Sequence, residues 1–209
     1  MRHRAGRWAT SVPAVHSGRH LGSRSRAPIL ARASTDTTPL PLPGPDITIE
    51  RFTKAHLAGV AALFNDPAVC RQVLQMPYQA VEAWRKRLAA DNERALQLVA
   101  VCGGEVIGNI GLEQHARVRR SHAGGLGMAV ASAWQGRGVG AQLLGAALEV
   151  ADNWMNLRRV ELTVYADNEA AQRLYRRFGF QVEGRLVDYG LRDGAFVDAL
   201  AMARLRQRA

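Results

Sequence analysis

Cysteine is scarce: the 209 residues include two, Cys70 and Cys102, with no CxxC pair and no paired histidine nearby. A disulfide framework and a structural zinc site are therefore excluded, and no metal is expected. Both thiols read as small buried side chains. Long apolar runs are missing too. None approaches the ~20 residues a spanning helix needs, and the N-terminus lacks the blocks of a secretory signal. The expectation is a cytoplasmic protein with no membrane partner. Acidic residues are absent from residues 1–35, which hold seven arginines. This deficit accounts for most of the formal charge of +10, since the remaining chain sets 21 basic residues against 18 acidic ones. A nucleic-acid partner is not expected, because the basicity sits in a tail whose only interleaved aromatic is Trp8.

What is present is an ordinary globular balance, 47% hydrophobic and 22% charged, enough for one sizeable core. The Arg- and Ser-rich start runs into Pro39, Pro41, Pro43 and Pro45, which alternate with other residues. Such a stretch packs no core and favours extended geometry. The expected organisation is an N-terminal extension over 1–45 and one domain over 46–209. The extension reads as a start site assigned too far upstream, a disordered tail or a transit peptide.

From residue 46 strand-like and helix-like pieces alternate. Period-two alternation predicts a strand over 46–52, and Leu57, Val60, Ala61, Leu63 and Phe64 give helical spacing that stops at Asn65-Asp66-Pro67. A second helix is expected over 81–92, a hairpin from 96–101 and 105–113 about Gly103-Gly104, and a strand over 123–131. Val139, Leu143, Ala147, Val150 and Trp154 fall on one helix face, 160–165 is β-branched, and Ala171, Leu174, Tyr175 and Phe178 line another helix. Strands over 180–187 and 195–202 flank the turn Arg192-Asp193-Gly194. The order β-α-α-β-β-β-α-β-α-β-β predicts one mixed α/β fold.

The most informative segment is Gln135-Gly136-Arg137-Gly138-Val139-Gly140-Ala141, where a strand ends and a long helix begins. Glycines there let backbone approach a ligand closely, and the first-turn N–H groups together with the helix dipole favour an anion. A phosphorylated cofactor is the inference, although glycine can also serve such a turn for geometry alone. The segment satisfies G-x-G-x-x-A, but it does not follow the first strand of its unit and no acid closes the next strand, so a nicotinamide site is disfavoured. No GxxxxGK[ST] occurs.

That turn, the strand after its helix, then Asn168, Ala171, Leu174-Tyr175 and Phe178-Gly179-Phe180 together resemble the GNAT superfamily of acetyl-CoA-dependent N-acetyltransferases. The resemblance implies a GNAT fold, a central mixed sheet of about six or seven strands with splayed parallel strands and flanking helices. It implies acetyl-CoA as co-substrate, with its pyrophosphate on Gln135, Gly136, Arg137, Gly138, Val139, Gly140 and Ala141. The pantetheine arm would pair with Met128, Ala129 and Val130, and the Val130 N–H would polarise the thioester. Gly124, Gly125 and Gly127 fit a bulged strand there.

Asn168 and Tyr175 lie seven residues apart, two helical turns on one face. The resemblance gives Asn168 a bond to the cofactor arm and makes Tyr175 the acid for the departing thiolate. Tyr175 reads also as a core residue and Asn168 as a helix cap. Candidate bases are Glu113, His115 and His122, with ordered water as the alternative. Leu74 to Tyr78, the Arg119-Arg120-Ser121-His122 turn, Asp152-Asn153-Trp154 and the C-terminal strand pair resemble the subgroup that acetylates free L-amino acids. Met76 and Tyr78 would then offer surface to a hydrophobic acceptor such as methionine or phenylalanine, or else cover the core. Acetylation of a protein N-terminus, as in ribosomal-protein acetyltransferases, and a sensor that binds acetyl-CoA without turnover are the alternatives; a homodimer is compatible with either.

Overall fold

The computed structural model describes residues 46–88 and 93–206. The readings of 1–45 as an extension and of 89–92 as helix lie outside the described residues. Twelve principal elements follow one another: β1 (Ile47–Arg51), α1 (Leu57–Asn65), α2 (Pro67–Cys70), α3 (Val81–Leu88), β2 (Ala95–Cys102), β3 (Glu105–Gln114), β4 (Ala123–Val130), α4 (Val139–Asn153), β5 (Arg159–Tyr165), α5 (Glu169–Arg177), β6 (Gln181–Arg192) and β7 (Ala195–Leu205). The expected order is present with one addition, the short α2. Pro67 ends α1 but also starts α2, because proline suits a first helical position and the Asp66 carboxylate accepts the Ala68 N–H at 2.9 Å.

The strands form one seven-stranded sheet in the order β1-β2-β3-β4-β5-β7-β6. Neighbours are antiparallel except β4 and β5, which run parallel and pair only at Ala123, Gly124 and Gly125 against Arg159, Val160 and Glu161. Beyond Gly125 the two central strands part. β3 and β4 meanwhile stay in one-for-one register from Gly124 to Val130, so the bulge expected at the β4 glycines is absent.

Strand alternation sends successive side chains to opposite faces, and each face has its own core. On one face Leu98, Ile110, Leu112, Leu126, Val160 and Leu162 pack against Leu143, Leu144, Ala147 and Tyr175 of α4 and α5. Leu143 and Leu144 are wholly buried, contributing about 2–3 kcal/mol each in area removed from water. On the other face Val99 and Ala129 meet Val60, Leu63 and Phe64 of α1, Val69 of α2 and Trp84 of α3. A bidentate pair from Arg204 on β7 to Asp152, at 2.9 and 2.7 Å, ties down the last turn of α4.

Three sequence expectations need correction. Trp154 is 80% exposed rather than on the buried face of α4, because the helix stops at Asn153 and the chain turns away. β6 continues to Arg192 past a register shift between Leu186 and Gly190, where Asp188 has φ 51° and its N–H is bound by the Asp198 carboxylate. Cys70 and Cys102 are partly buried, and the Cys70 thiol donates to the Gln75 carbonyl at 3.4 Å.

Candidate active site

The parting of β4 and β5 opens a cleft of about 1530 Å³, lined by both strands, α3, α5 and the turn before α4. Which β4 groups face it follows from the hydrogen bonds at the strand's two ends. Ala123 accepts from the His115 N–H, and the Ala131 N–H donates to Ile107, so the odd-numbered residues exchange bonds with β3. The even-numbered residues point the opposite way, and at Met128 and Val130 there is no β5 backbone to receive them. Two backbone donors are thus presented to the cleft by plain alternation. The Ala129 N–H is spent on β3, so of the three β4 residues expected to hold a cofactor arm only Met128 and Val130 offer backbone.

The turn before α4 adds more. Gly136 and Gly138 have φ of 74° and 85°, a left-handed conformation that other residues adopt at a cost. The backbone N–H groups of residues 136–140 have no acceptor among the described residues, whereas the Ala141 N–H is bonded to the Gly138 carbonyl at 3.0 Å. Ala141 therefore leaves the expected donor set. A Cβ on Gly138 would meet no atom within 4 Å, so the space above the turn is open; one on Gly140 would sit 3.1 Å from Leu174 Cδ2, where α4 and α5 approach. Gln135 has a structural task, its side-chain amide donating to the Val130 carbonyl at 3.1 Å, and Arg137 stacks over Trp134 at 5.2 Å. Five unpaired N–H donors at a helix start, with Arg137 among their residues, fit a pyrophosphate.

α5 supplies the side chains. Asn168 caps it, its carbonyl oxygen accepting the Ala171 N–H at 3.1 Å, while its amide nitrogen has no partner among the described residues. Gln172, buried, donates to the Tyr165 and Ala166 carbonyls at 3.3 and 2.9 Å and so fixes α5 on the end of β5. One turn on, Tyr175 is 6% exposed and tilts against Phe180 at 5.7 Å. It lines the cleft, and its hydroxyl has no hydrogen-bond partner among the described residues. Burial pushes its pKa up to about 12, so the hydroxyl keeps its proton at any ordinary pH. Asn168 is thus a cap and Tyr175 a core side chain, and both also line the cleft.

The part of the cleft between the ends of β3 and β5 carries the charge. Glu113 lines the cleft, on the sheet face of Gly125, its partner across β3 and β4. His115 lines it too and meets Glu161 at 2.6 Å; Glu161 also receives Arg159 at 2.7 Å and Arg120 at 2.5 Å. Arg159 binds Glu183 as well. Burial raises the Glu161 pKa, but the hydrogen bonds from Arg159 and His115 and the charge of Arg120 outweigh it and leave the carboxyl below its usual range. Three candidates from the sequence fall away. His122 is exposed at the end of its turn and outside the cleft lining, while Met76 and Tyr78 are 71% and 96% exposed and line nothing there. Phe64, Val69 and Val73 are instead among the apolar residues that line the cleft. Arg87, Trp84, Gln97 and the Arg159-Glu161-Glu183 chain were not singled out from the sequence. Their signal is spatial, since they come from four separate elements.

A mixed sheet whose parallel pair splays beside a helix start with unpaired N–H groups, with a protonated tyrosine lining the gap, is an arrangement suited to an acyltransferase that handles a phosphorylated carrier. The model of the GNAT acetyltransferase family matches residues 58–180. The L-amino acid N-acetyltransferase AaaT of Escherichia coli K12 is 37% identical over 161 residues, 77% of this chain and 99% of that protein. Among solved structures, the ribosomal-protein-alanine N-acetyltransferase of Brucella melitensis superposes with a TM-score of 0.69 at 27% identity, over 76% of this chain and 99% of that one. The spermidine N-acetyltransferase of Vibrio cholerae, solved with CoA and spermine, shares the fold with a TM-score of 0.67 at 23% identity, over 76% and 95%. The chain belongs to the GNAT family and is an N-acetyltransferase.

Proposed function

We propose that this enzyme transfers acetyl from acetyl-CoA to the α-amino group of a free L-amino acid with a hydrophobic side chain. The observation that carries the reading is the 37% identity to the E. coli L-amino acid enzyme across 99% of its length. The acceptor side of the cleft supports it. Phe64, Val69 and Val73 give it apolar walls, and Glu161 and Glu183 are already engaged by arginines rather than free for a polyamine.

Acetyl-CoA, when bound, supplies a thioester whose carbonyl carbon gains a bond to the amine nitrogen as its C–S bond breaks. The N–H groups of residues 136–140 bind the pyrophosphate, Met128 and the Asn168 amide orient the arm, and the Val130 N–H stabilises charge on the carbonyl oxygen. Glu113 takes the amine proton, directly or through water, and Tyr175 gives its proton to the sulfur. A hydroxyl held near 12 is a poor acid toward a neutral thioester, so it acts only as the sulfur gains charge.

The test is CoA release measured across the twenty amino acids, spermidine and a peptide starting with alanine. Hydrophobic amino acids should lead, and a lead by spermidine or the peptide overturns the reading. Acetylation of a protein N-terminal alanine is the second reading, favoured by the 27% identity to the Brucella enzyme.

A further inference from the structure

The floor of the acceptor side is bare. Gly127 of β4 pairs with Gly111 of β3, which pairs with Gln97 of β2, and a Cβ on Gly127 would meet nothing within 4 Å. Gln97 lies across Gly111, where a Cβ would come within 2.9 Å of its amide oxygen. That oxygen is buried with no donor, and the indole N–H of Trp84, a side chain only 2% exposed, is buried with no acceptor. Both residues line the cleft. Native interiors rarely leave such groups unpaired, and an orphan donor and an orphan acceptor in the lining of one cleft mark groups that a ligand can complete.

A cation joins them. Arg87, one turn after Trp84 on α3, places its guanidinium over the Trp84 ring at 4.9 Å and lines the same cleft. It has no carboxylate partner among the described residues, unlike Arg159 and Arg120. Phe64, stacked on Trp84 at 4.4 Å, helps fix the ring and with it the donor. On the α3 side of the cleft, then, an arginine without a carboxylate partner accompanies a buried indole N–H without an acceptor and a buried amide oxygen without a donor. A group with an anionic acceptor a few ångströms from an N–H donor complements all three, and the head group of an α-amino acid has that form.

We propose that Arg87 and the Trp84 indole N–H hold the α-carboxylate of the acceptor, while the Gln97 carbonyl receives an N–H of its amine. The arrangement has the polarity that the reaction needs. Gln97 reaches over Gly111 toward β4, whose Met128 and Val130 donors face the gap, so the amine lies on the β4 side and the carboxylate on the α3 side. A peptide N-terminus lacks the charged carboxylate at this distance and a polyamine lacks it altogether, so the subsite selects free amino acids by charge. The inference rests on the amino-acid reading above and adds the residues that enforce it.

The test compares L-phenylalanine with L-phenylalaninamide, which keeps the amine and side chain and loses the charge. In the unaltered full-length protein kcat/KM should favour the acid by at least about tenfold. Arg87→Gln should lower kcat/KM for the acid by about 30-fold or more, chiefly through KM, and leave the amide within about threefold. Arg87→Lys should recover part of the loss, and Trp84→Phe, which keeps the ring but removes its donor, should cost the acid alone severalfold. Equal losses for acid and amide, or no loss, would make Arg87 a packing partner of Trp84 and overturn the subsite. If the unaltered protein acetylates neither compound while acetyl-CoA still raises its melting temperature, the amino-acid reading itself fails, and the subsite fails with it.

Discussion

Toward α4 the cleft offers backbone: the N–H groups of residues 136–140, and those of Met128 and Val130. Toward α3 and the far end of β3 it offers side chains, among them Arg87, Trp84, Gln97, Glu113 and His115. The difference separates what the two sides can change. Backbone donors depend on conformation, so that side tolerates substitution wherever the turn survives and fails where a side chain enters the cradle. On the other side the exposed or half-exposed side chains, Arg87, Glu113 and His115, can be replaced with little effect on the sheet beneath, whereas Trp84 belongs to the core.

The sharpest way to break this comparison is at Gly138. Valine there faces a left-handed φ of 85°, costing roughly 1–2 kcal/mol, and projects into the open space above the turn. The fold should survive while the thermal shift given by acetyl-CoA disappears and kcat/KM falls by roughly 1000-fold, since a ligand stabilises only the state that binds it. Scanning calorimetry with and without acetyl-CoA checks it, and an undiminished shift would move the pyrophosphate off the turn. Tyr175→Phe comes next, at the border of the two sides. Its ring packing on Phe180 remains, so stability and cofactor affinity should stay near the parent values while the chemical step slows by about 100-fold. Single-turnover rates decide this. Full turnover would leave Tyr175 a core residue and pass the proton to water.

Glu113→Gln probes the side-chain half alone. A carboxylate that takes the amine proton should cost about 10- to 100-fold in kcat/KM when lost, with the acetyl-CoA melting shift unchanged. A loss of that shift would show instead that Glu113 shapes the cofactor side. The same division explains what could be read from the chain. Gln135 to Gly140 announce themselves because conformation forces glycine at fixed spacing, and Leu174-Tyr175 follow at helical spacing from Asn168. All seven strands were legible, from alternation in the first, the Gly103-Gly104 turn in the hairpin and β-branching over 160–165, whereas α2 was hidden because Pro67 signals both an end and a beginning. Met76 and Tyr78 misled because apolar character in a loop gives no direction, and here both point to solvent. Arg87 and Gln97 carried no local signal: an arginine in a basic helix and a glutamine in a strand look like surface until α3 and β2 bring them to one cleft.

The smallest effect is expected at Glu161, which serves the side-chain half from behind. Its carboxyl binds Arg159, His115 and Arg120, all of which favour the charged form. The ordinary value is 4.5, and the folded protein holds the group below it. The stabilisation is therefore complete above pH 4.5 and is lost as pH falls through the depressed folded value, because protonation then removes what the two arginines and the His115 hydrogen bond contribute. Glu161→Gln removes the charge at every pH. Its unfolding free energy at pH 7 should lie about 1–3 kcal/mol below that of the parent, a modest sum because Arg159 keeps Glu183. The gap should shrink below pH 4.5 and close in stronger acid, as urea unfolding across that range would show. Activity at neutral pH should fall less than with Glu113→Gln, since Glu161 acts on His115 and not on the amine. A gap that stayed constant into acid would mean that the loss comes from packing rather than charge, and a larger fall in kcat than with Glu113→Gln would transfer the proton to His115.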